Sequence, residues 1–178
     1  MSSSSSHERR WQCVRLAVCV VALVLWMGFI FFMSANDGDH SQGMSDGLTS
    51  FVLSAVWPGF SDMSPDEQTA VVGSLSFFVR KAGHFSEYAV LGLLAFATLR
   101  QGQALRSSQA LRNTRKIAPV AVGAVAMAFV YACFDEFHQL FVAGRSGQPF
   151  DVGVDTAGAL VAVAIVLAVM RMRERHRV

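Results

Sequence analysis

Two groups of ionisable residues beside apolar runs have the residue types that acid–base, metal or anion chemistry requires. The first group is Asp135-Glu136-Phe137-His138-Gln139, followed by Gly144-Arg145, Asp151 and Asp155. The second group opens another apolar run and comprises Lys81, His84, Glu87 and Tyr88. Ionisable side chains at a membrane boundary cost free energy unless they are paired or hydrated, so both groups indicate either a functional site or an interhelical network.

Three kinds of chemistry are open to these residue types. Lys81 and Arg145 are suited to an anion, since a guanidinium group offers a planar fork to phosphate or carboxylate. A histidine beside an acid would make a general acid–base pair, because a carboxylate tunes imidazole near neutral pH. The catalytic candidates on this basis are His84, Asp135, Glu136 and His138. Two histidines with several carboxylates could also bind a divalent metal ion as cofactor.

Known catalytic motifs do not narrow this choice. The sequence contains no H-E-x-x-H motif, no serine nucleophile elbow and no glycine-rich phosphate loop. The formal net charge of +2 is too small to predict a nucleic-acid partner. The sequence motifs therefore identify no particular reaction.

The elements that position these residues are predicted to be membrane-spanning helices. The chain is 53% hydrophobic and only 16% charged, which is typical of a membrane protein. Four apolar runs have the roughly 20 residues that a helix needs to cross a bilayer, and backbone groups cannot stay unpaired in lipid. The runs are Val14–Met33, Phe77–Leu99, Ile117–Phe134 and Val152–Met170. The predicted fold is an all-α integral membrane protein with four transmembrane helices.

The distribution of basic residues predicts the orientation of these helices. Positive residues cluster at both termini and in the middle connection, whereas the first connection is acidic. The positive-inside rule then places both termini in the cytoplasm. The basic residues are Arg9, Arg10, Arg15, Arg100, Arg106, Arg112, Arg115, Lys116, Arg171, Arg173, Arg175 and Arg177, and the acidic ones are Asp37, Asp39, Asp46, Asp62, Asp66 and Glu67.

The domain organisation follows from these spans. Residues 1–13 are predicted to form a cytoplasmic N-terminal tail, residues 14–170 a four-helix membrane domain, and residues 171–178 a basic cytoplasmic tail. The long outer connection, residues 34–76, is predicted to contain short interfacial helices. One ends at Trp57-Pro58, where an aromatic anchor is followed by a helix breaker.

A second outer helix is predicted to start at Ser64-Pro65-Asp66-Glu67. This tetrapeptide has a serine N-cap, a proline at the first helical position and a glutamate that completes a capping box. A break or bend is predicted at Gly73–Ser76, before the second span begins.

Helical periodicity brings the polar residues together. At about 100° per residue, the second group occupies an arc of roughly 120° on one helix face. Asp135, His138 and Gln139 share a face, and Asp151 and Asp155 lie a turn apart on the last span. With the predicted topology, all of them lie near the outer leaflet and form an outward-facing polar pocket. The predicted ligand-binding residues are Lys81, His84, Glu87, Tyr88, Gln139, Arg145, Asp151 and Asp155. An ion-pair network that only holds the helices together is the alternative.

Two motifs resemble those of VanZ-like membrane proteins, and the similarity covers about Phe77 to Met170. The first motif is Arg80-Lys81-Ala82-Gly83-His84-Phe85-Ser86-Glu87-Tyr88 with Leu91-Gly92. The second comprises Asp135-Glu136-Phe137-His138-Gln139-Leu140-Phe141, Gly144-Arg145, Asp151, Asp155 and Gly158. One departure is Ala143, where members of the family often have proline.

The resemblance implies a role in the bacterial cell envelope and a multi-pass location in the inner membrane. The family is named for a protein linked to low-level resistance to the glycopeptide teicoplanin. We therefore predict that the pocket binds an anionic lipid or a lipid-linked cell-wall precursor and contributes to glycopeptide resistance. A membrane-embedded hydrolase or transferase that acts on a lipid-linked substrate is the alternative function. A structural subunit is a third class, and no oligomeric state is predicted.

Overall fold

Five α-helices make up the architecture that the computed structural model describes for residues 2–36, 38–106, 117–145 and 147–176. Four of these helices are long and apolar enough to cross a membrane, so the prediction of an all-α protein with four such helices is confirmed. The helices are α1 (Ser2–Ser34), α2 (Gly38–Val56), α3 (Pro65–Arg106), α4 (Ile117–Gln139) and α5 (Pro149–Arg175). Five of the charged residues on which the predicted orientation rests lie outside the described residues. They are Asp37, Arg112, Arg115, Lys116 and Arg177.

Three helices extend well beyond the apolar runs that predicted them. Helix α1 begins at Ser2 and α5 continues to Arg175, so residues assigned to the two tails prolong these helices. Helix α3 has 42 residues, which corresponds to about 63 Å, roughly twice the thickness of a bilayer hydrocarbon core. Its N-terminal part therefore belongs to the connection between the first two spans.

The sequence predicted a break or a bend at Gly73–Ser76, and the break is absent because α3 is continuous through these residues. A single glycine costs a helix only about 1 kcal/mol. The Ser76 hydroxyl supports the helix by donating to the carbonyl of Val72 at 2.7 Å. The same hydroxyl lies 2.5 Å from Oδ1 of Asp46 on α2, so this position is also a packing contact.

The capping box at the start of α3 is present. The backbone N–H of Ser64 donates to Oε2 of Glu67 at 2.9 Å, and the backbone N–H of Glu67 donates to Oγ of Ser64 at 3.4 Å. We expect Ser64→Ala to lower the Tm by about 2–4 °C, because the first turn loses its side-chain acceptor. Ser74→Ala on the same helix is the control, and it should leave the Tm unchanged or raised, since alanine is the better helix former. Equal Tm values for the two variants, measured by thermal unfolding in detergent, would contradict this assignment.

Helix α3 is the central element, since it packs against each of the other four helices and most extensively against α5. Small residues permit these close approaches. Ala124, Ala128 and Ala132 lie four residues apart on α4 and are fully buried. On α5, a Cβ at Gly158 would overlap the backbone carbonyl of Phe85 on α3. Small residues at helix interfaces are the usual means of tight packing within a bilayer, where burial of apolar surface drives association weakly.

Helix α2 lies against the N-terminal half of α3. Polar contacts fix its position: the Ser76 hydroxyl lies 2.5 Å from Oδ1 of Asp46, and Arg80 Nη1 donates to Oε1 of Gln42 at 3.3 Å. A small apolar cluster continues the contact beyond these polar pairs. It comprises Leu53, Phe60 and Val72, with Met63 and Val71 packed against it. These contacts hold α2 over the end of the bundle where the polar residues lie.

Candidate functional site

Two cavities lie at the end of the bundle that α2 covers. The first, here called the α2 cavity, has a volume of about 290 Å³ and lies between α1, α2, α3 and α4. The second, here called the loop cavity, has a volume of about 330 Å³ and is bordered by the α4–α5 connection. Arg80, His84 and Arg145 line both cavities. The two adjacent spaces therefore share three basic side chains.

The α2 cavity combines an apolar part with a polar part. Its apolar lining is Ile30, Met33, Met44, Leu48 and Val79. Its polar lining comprises Ser34, Ser41, Ser45, Arg80, His84, Glu87, Asp135 and Arg145. A cavity of this kind matches a molecule that has both an alkyl and a charged portion.

Lys81 and Asp151 form an ion pair between α3 and α5. Both side chains are mostly buried, with 13% and 11% of their surface exposed. The ammonium group also lies 5.2 Å from the ring centre of Phe77 and 5.9 Å from that of Phe150, distances at which a cation is attracted to a ring face. The charge of Lys81 is thus already compensated by Asp151, which leaves it less available to an anion than the sequence suggested.

His84, Asp135 and Asp155 come together from α3, α4 and α5. One potential ligand atom of each residue lies within 4.8 Å of the others. His84 Nδ1 is 3.8 Å from Oδ1 of Asp155, and neither Asp155 oxygen makes a hydrogen bond among the described residues. Asp135 and Asp155 are only 1% and 0% exposed. Oδ2 of Asp135 accepts a hydrogen bond from Nε2 of Gln139 at 3.4 Å. Asp155 accepts none among the described residues, which is unusual for a carboxylate buried to this extent.

Three other predicted residues, Gln139, Glu136 and Glu87, lie in or beside the walls of this region. Gln139 donates from Nε2 to Oγ of Ser34 at 2.9 Å, which joins α4 to α1. Glu136 accepts the backbone N–H of Gln148 at 2.6 Å and so fixes the residue preceding α5. The Glu87 side chain lines the α2 cavity. The backbone carbonyl of Glu87 accepts the indole N–H of Trp26 at 2.9 Å.

Tyr88 and His138 line neither of the two cavities. Tyr88 is fully buried beside Tyr131, with 6.3 Å between the ring centres. The imidazole of His138 lies against the ring of Phe31, with 4.4 Å between their centres. The structure therefore brings His84 into the site and places His138 at the α1–α4 contact.

Arg145 is held by neutral groups. Its Nε donates to the carbonyl of Asn36 at 3.3 Å, and its Nη2 donates to Oγ of Ser41. Within the described part of the chain, neither Arg145 nor Arg80 has a carboxylate at ion-pair distance. Burial, followed by the nearby Arg80, lowers the pKa of Arg145, while Asp135, Glu136 and Glu87 raise it. Arginine remains protonated across the physiological pH range, so a charged guanidinium faces both cavities.

The α4–α5 connection places Arg145 by means of a glycine turn. Gly144 adopts a φ of +69°, the left-handed conformation that glycine accepts without steric cost. The carbonyl of the preceding Ala143 accepts the backbone N–H of Gly38 at 3.0 Å, which ties the turn to the start of α2. This hydrogen bond restrains the turn at Ala143.

Sequence reasoning missed Arg80 as a cavity residue, together with Ser34, Ser41 and Gln42. A signal for Arg80 was available, since at about 100° per residue it falls inside the same arc as the second group. The sequence contains no comparable signal for Ser41 and Gln42 of α2, because their spacing does not show which helix α2 covers. Their contribution depends on the tertiary contacts between α2 and α3.

A family comparison agrees with this arrangement. The family model described as VanZ/LLP1 matches residues 19–171 of the 178-residue chain. This range contains both sequence motifs and most of each apolar helix. No curated protein and no solved structure matches the chain significantly. With a family match over this much of its length and four helices that can span a membrane, the chain belongs to the VanZ/LLP1 family of multi-pass membrane proteins.

Proposed function

We propose that the protein binds the anionic headgroup of an envelope lipid, or of a lipid-linked cell-wall precursor, in the α2 cavity. The observation that carries this proposal is the pair of arginines, Arg80 and Arg145, whose partners are neutral and whose side chains line the cavity. A guanidinium with no carboxylate partner is well suited to a phosphate, which it can contact through two parallel hydrogen bonds.

The composition of the cavity favours a lipid over a free solute. One part of its lining is apolar, through residues such as Met33, Met44 and Leu48, and the other part is charged. Its volume of about 290 Å³ lies at the lower end of the range of ligand pockets. This space suits a headgroup with the first part of its chains, while the remaining alkyl chain would lie along the exposed apolar helix faces.

The biological setting of this binding is also part of the proposal. The protein is placed in the bacterial inner membrane with both termini in the cytoplasm, as the basic residues near its ends favour. The cavity then opens towards the outer leaflet, where glycopeptides act on cell-wall precursors. Binding of the headgroup there would reduce access of a teicoplanin-type antibiotic to its target.

A binding function accounts for the geometry better than an acid–base reaction does. His84 Nδ1 and Asp155 are too far apart for a hydrogen bond, and Nδ1 of His138 has no hydrogen-bond partner in the described residues. The predicted reaction uses a histidine as base, and such a histidine is normally oriented by a hydrogen bond to a neighbouring acid. The alternative of a membrane-embedded hydrolase or transferase would therefore require a rearrangement of these side chains.

Removal of one guanidinium tests the proposal. We expect Arg145→Ala to reduce the anionic lipid that copurifies with the protein about tenfold, because a hydrogen bond to a charged group contributes about 1.5–3 kcal/mol. The measurement is mass spectrometry of lipids from protein purified out of bacterial membranes. Arg173→Ala is the matched control, since it removes one exposed arginine at the end of α5. Equal lipid content in the wild type and both variants would overturn the assignment.

A further inference from the structure

We propose that His84, Asp135 and Asp155 form a binding site for one divalent transition-metal ion of the Zn²⁺ or Mn²⁺ type. The three residues come from α3, α4 and α5, and one ligand atom of each lies within 4.8 Å of the others. A single ion at their centre would contact all three after small side-chain rotations. Such an ion would join the three helices beside the shared wall of the two cavities.

Distances favour coordination over direct hydrogen bonding. His84 Nδ1 and Asp155 Oδ1 are 3.8 Å apart, which exceeds the range of a hydrogen bond. Two ligands of a tetrahedral Zn²⁺ ion, each about 2.0–2.2 Å from the metal, lie roughly 3.3–3.6 Å from each other. The separation of this pair is close to that value. The ligand atoms of the whole cluster lie within 4.8 Å of one another, so the pairs that involve Asp135 would have to close by at most about 1.5 Å to bind an ion.

The unsatisfied atoms of this cluster independently indicate a ligand. Asp155 is fully buried, and neither of its oxygens makes a hydrogen bond in the described residues. Oδ1 of the buried Asp135 and Nδ1 of His84 also have no hydrogen-bond partner in the described residues. A buried ionised carboxylate without a partner is strongly destabilising. A metal ion would satisfy all of these atoms at once.

The charges around the cluster are consistent with a divalent ion. Glu87, Asp135, Glu136, Asp151 and Asp155 supply five carboxylates, and Arg80, Lys81 and Arg145 supply three cations. Asp39 also lines the loop cavity, so carboxylates outnumber cations by six to three if all are ionised. A divalent ion would offset most of this negative excess.

The donor set identifies the class of metal. Imidazole nitrogen suits Zn²⁺ and other transition ions, whereas Ca²⁺ and Mg²⁺ prefer sites made of oxygen alone. Three protein ligands leave at least one coordination position for water or another oxygen. An entry path exists because His84 lines both cavities. The proposed site does not depend on the identity of the headgroup.

Metal content of the purified full-length chain tests the site. The protein is prepared with an affinity tag that lacks histidine, stripped with EDTA, incubated with ZnCl₂ or MnCl₂, desalted and analysed by inductively coupled plasma mass spectrometry. We expect about one ion per chain in the wild type and less than a tenth of that in Asp155→Asn. Asp66→Asn should keep the full content, because it removes an exposed acid in the first turn of α3, away from the cluster. Wild-type protein that binds no more metal than Asp155→Asn would overturn the proposal.

Cobalt provides a readout that does not depend on how well a variant folds. Addition of Co²⁺ to wild-type protein should produce the intense visible absorption of a four- or five-coordinate site, and Zn²⁺ should displace it. The absence of this spectrum in correctly folded wild-type protein would also overturn the proposal. Arg145→Ala should retain the metal while it loses anionic lipid, so failure of the metal site and failure of headgroup binding can be distinguished.

Discussion

Lys81→Met is expected to destabilise the protein by about 3–5 kcal/mol, because it leaves the carboxylate of Asp151 buried without its partner. The ion pair joins α3 to α5, the two helices with the most extensive mutual packing. With only 13% and 11% of the two side chains exposed, water can compensate the remaining charge only weakly. The free energy of unfolding is measured by titration with SDS in mixed micelles, followed through tryptophan fluorescence.

A double variant distinguishes loss of the pair from loss of packing. Lys81→Met combined with Asp151→Leu should recover most of the lost stability, since apolar replacements of buried ion pairs are often neutral or stabilising. The coupling free energy from the double-mutant cycle should then be several times larger than the sub-kcal/mol values typical of exposed pairs. A double variant as unstable as the sum of the single variants would show that Lys81 and Asp151 act independently.

The membrane helices could be predicted from the sequence because the relevant signals are local. An apolar run of about 20 residues identifies a span, and the four runs found in this way lie within α1, α3, α4 and α5. The capping box before α3 is equally local, since Ser64 and Glu67 are three residues apart. The shared arc of Lys81, His84 and Glu87 follows from helix geometry alone.

The pairing of residues between helices could not be predicted, because it depends on the relative rotation and height of packed helices. Sequence spacing did not show that Lys81 would contact Asp151 and that His84 would lie opposite Asp155. It also placed His138 in the pocket, since His138 shares a helical face with Asp135. In the structure α1 covers that part of the face, and His138 packs against Phe31.

Gly158→Ala is expected to destabilise the protein by about 3 kcal/mol, at the upper end of the usual effect of overpacking. A Cβ at this position would overlap the backbone carbonyl oxygen of Phe85. Backbone cannot move aside by changing rotamer, so α3 and α5 would have to separate. Gly153→Ala on the exposed side of α5 is the matched control, since nothing lies within 4 Å of its added methyl group. That change should stabilise the protein by about 0.5–1 kcal/mol, because alanine favours a helix interior over glycine.

The position of Gly158 connects this packing contact to the site. It lies three residues after Asp155 on α5, and Phe85 directly follows His84 on α3. Separation of the two helices at this point would increase the distance between Nδ1 of His84 and Oδ1 of Asp155, which is 3.8 Å in the native packing. Gly158→Ala should therefore weaken binding of Co²⁺ as well as lower the unfolding free energy measured in SDS titrations. Unchanged stability and unchanged cobalt absorption in this variant would show that α3 and α5 can approach each other without a glycine at this position.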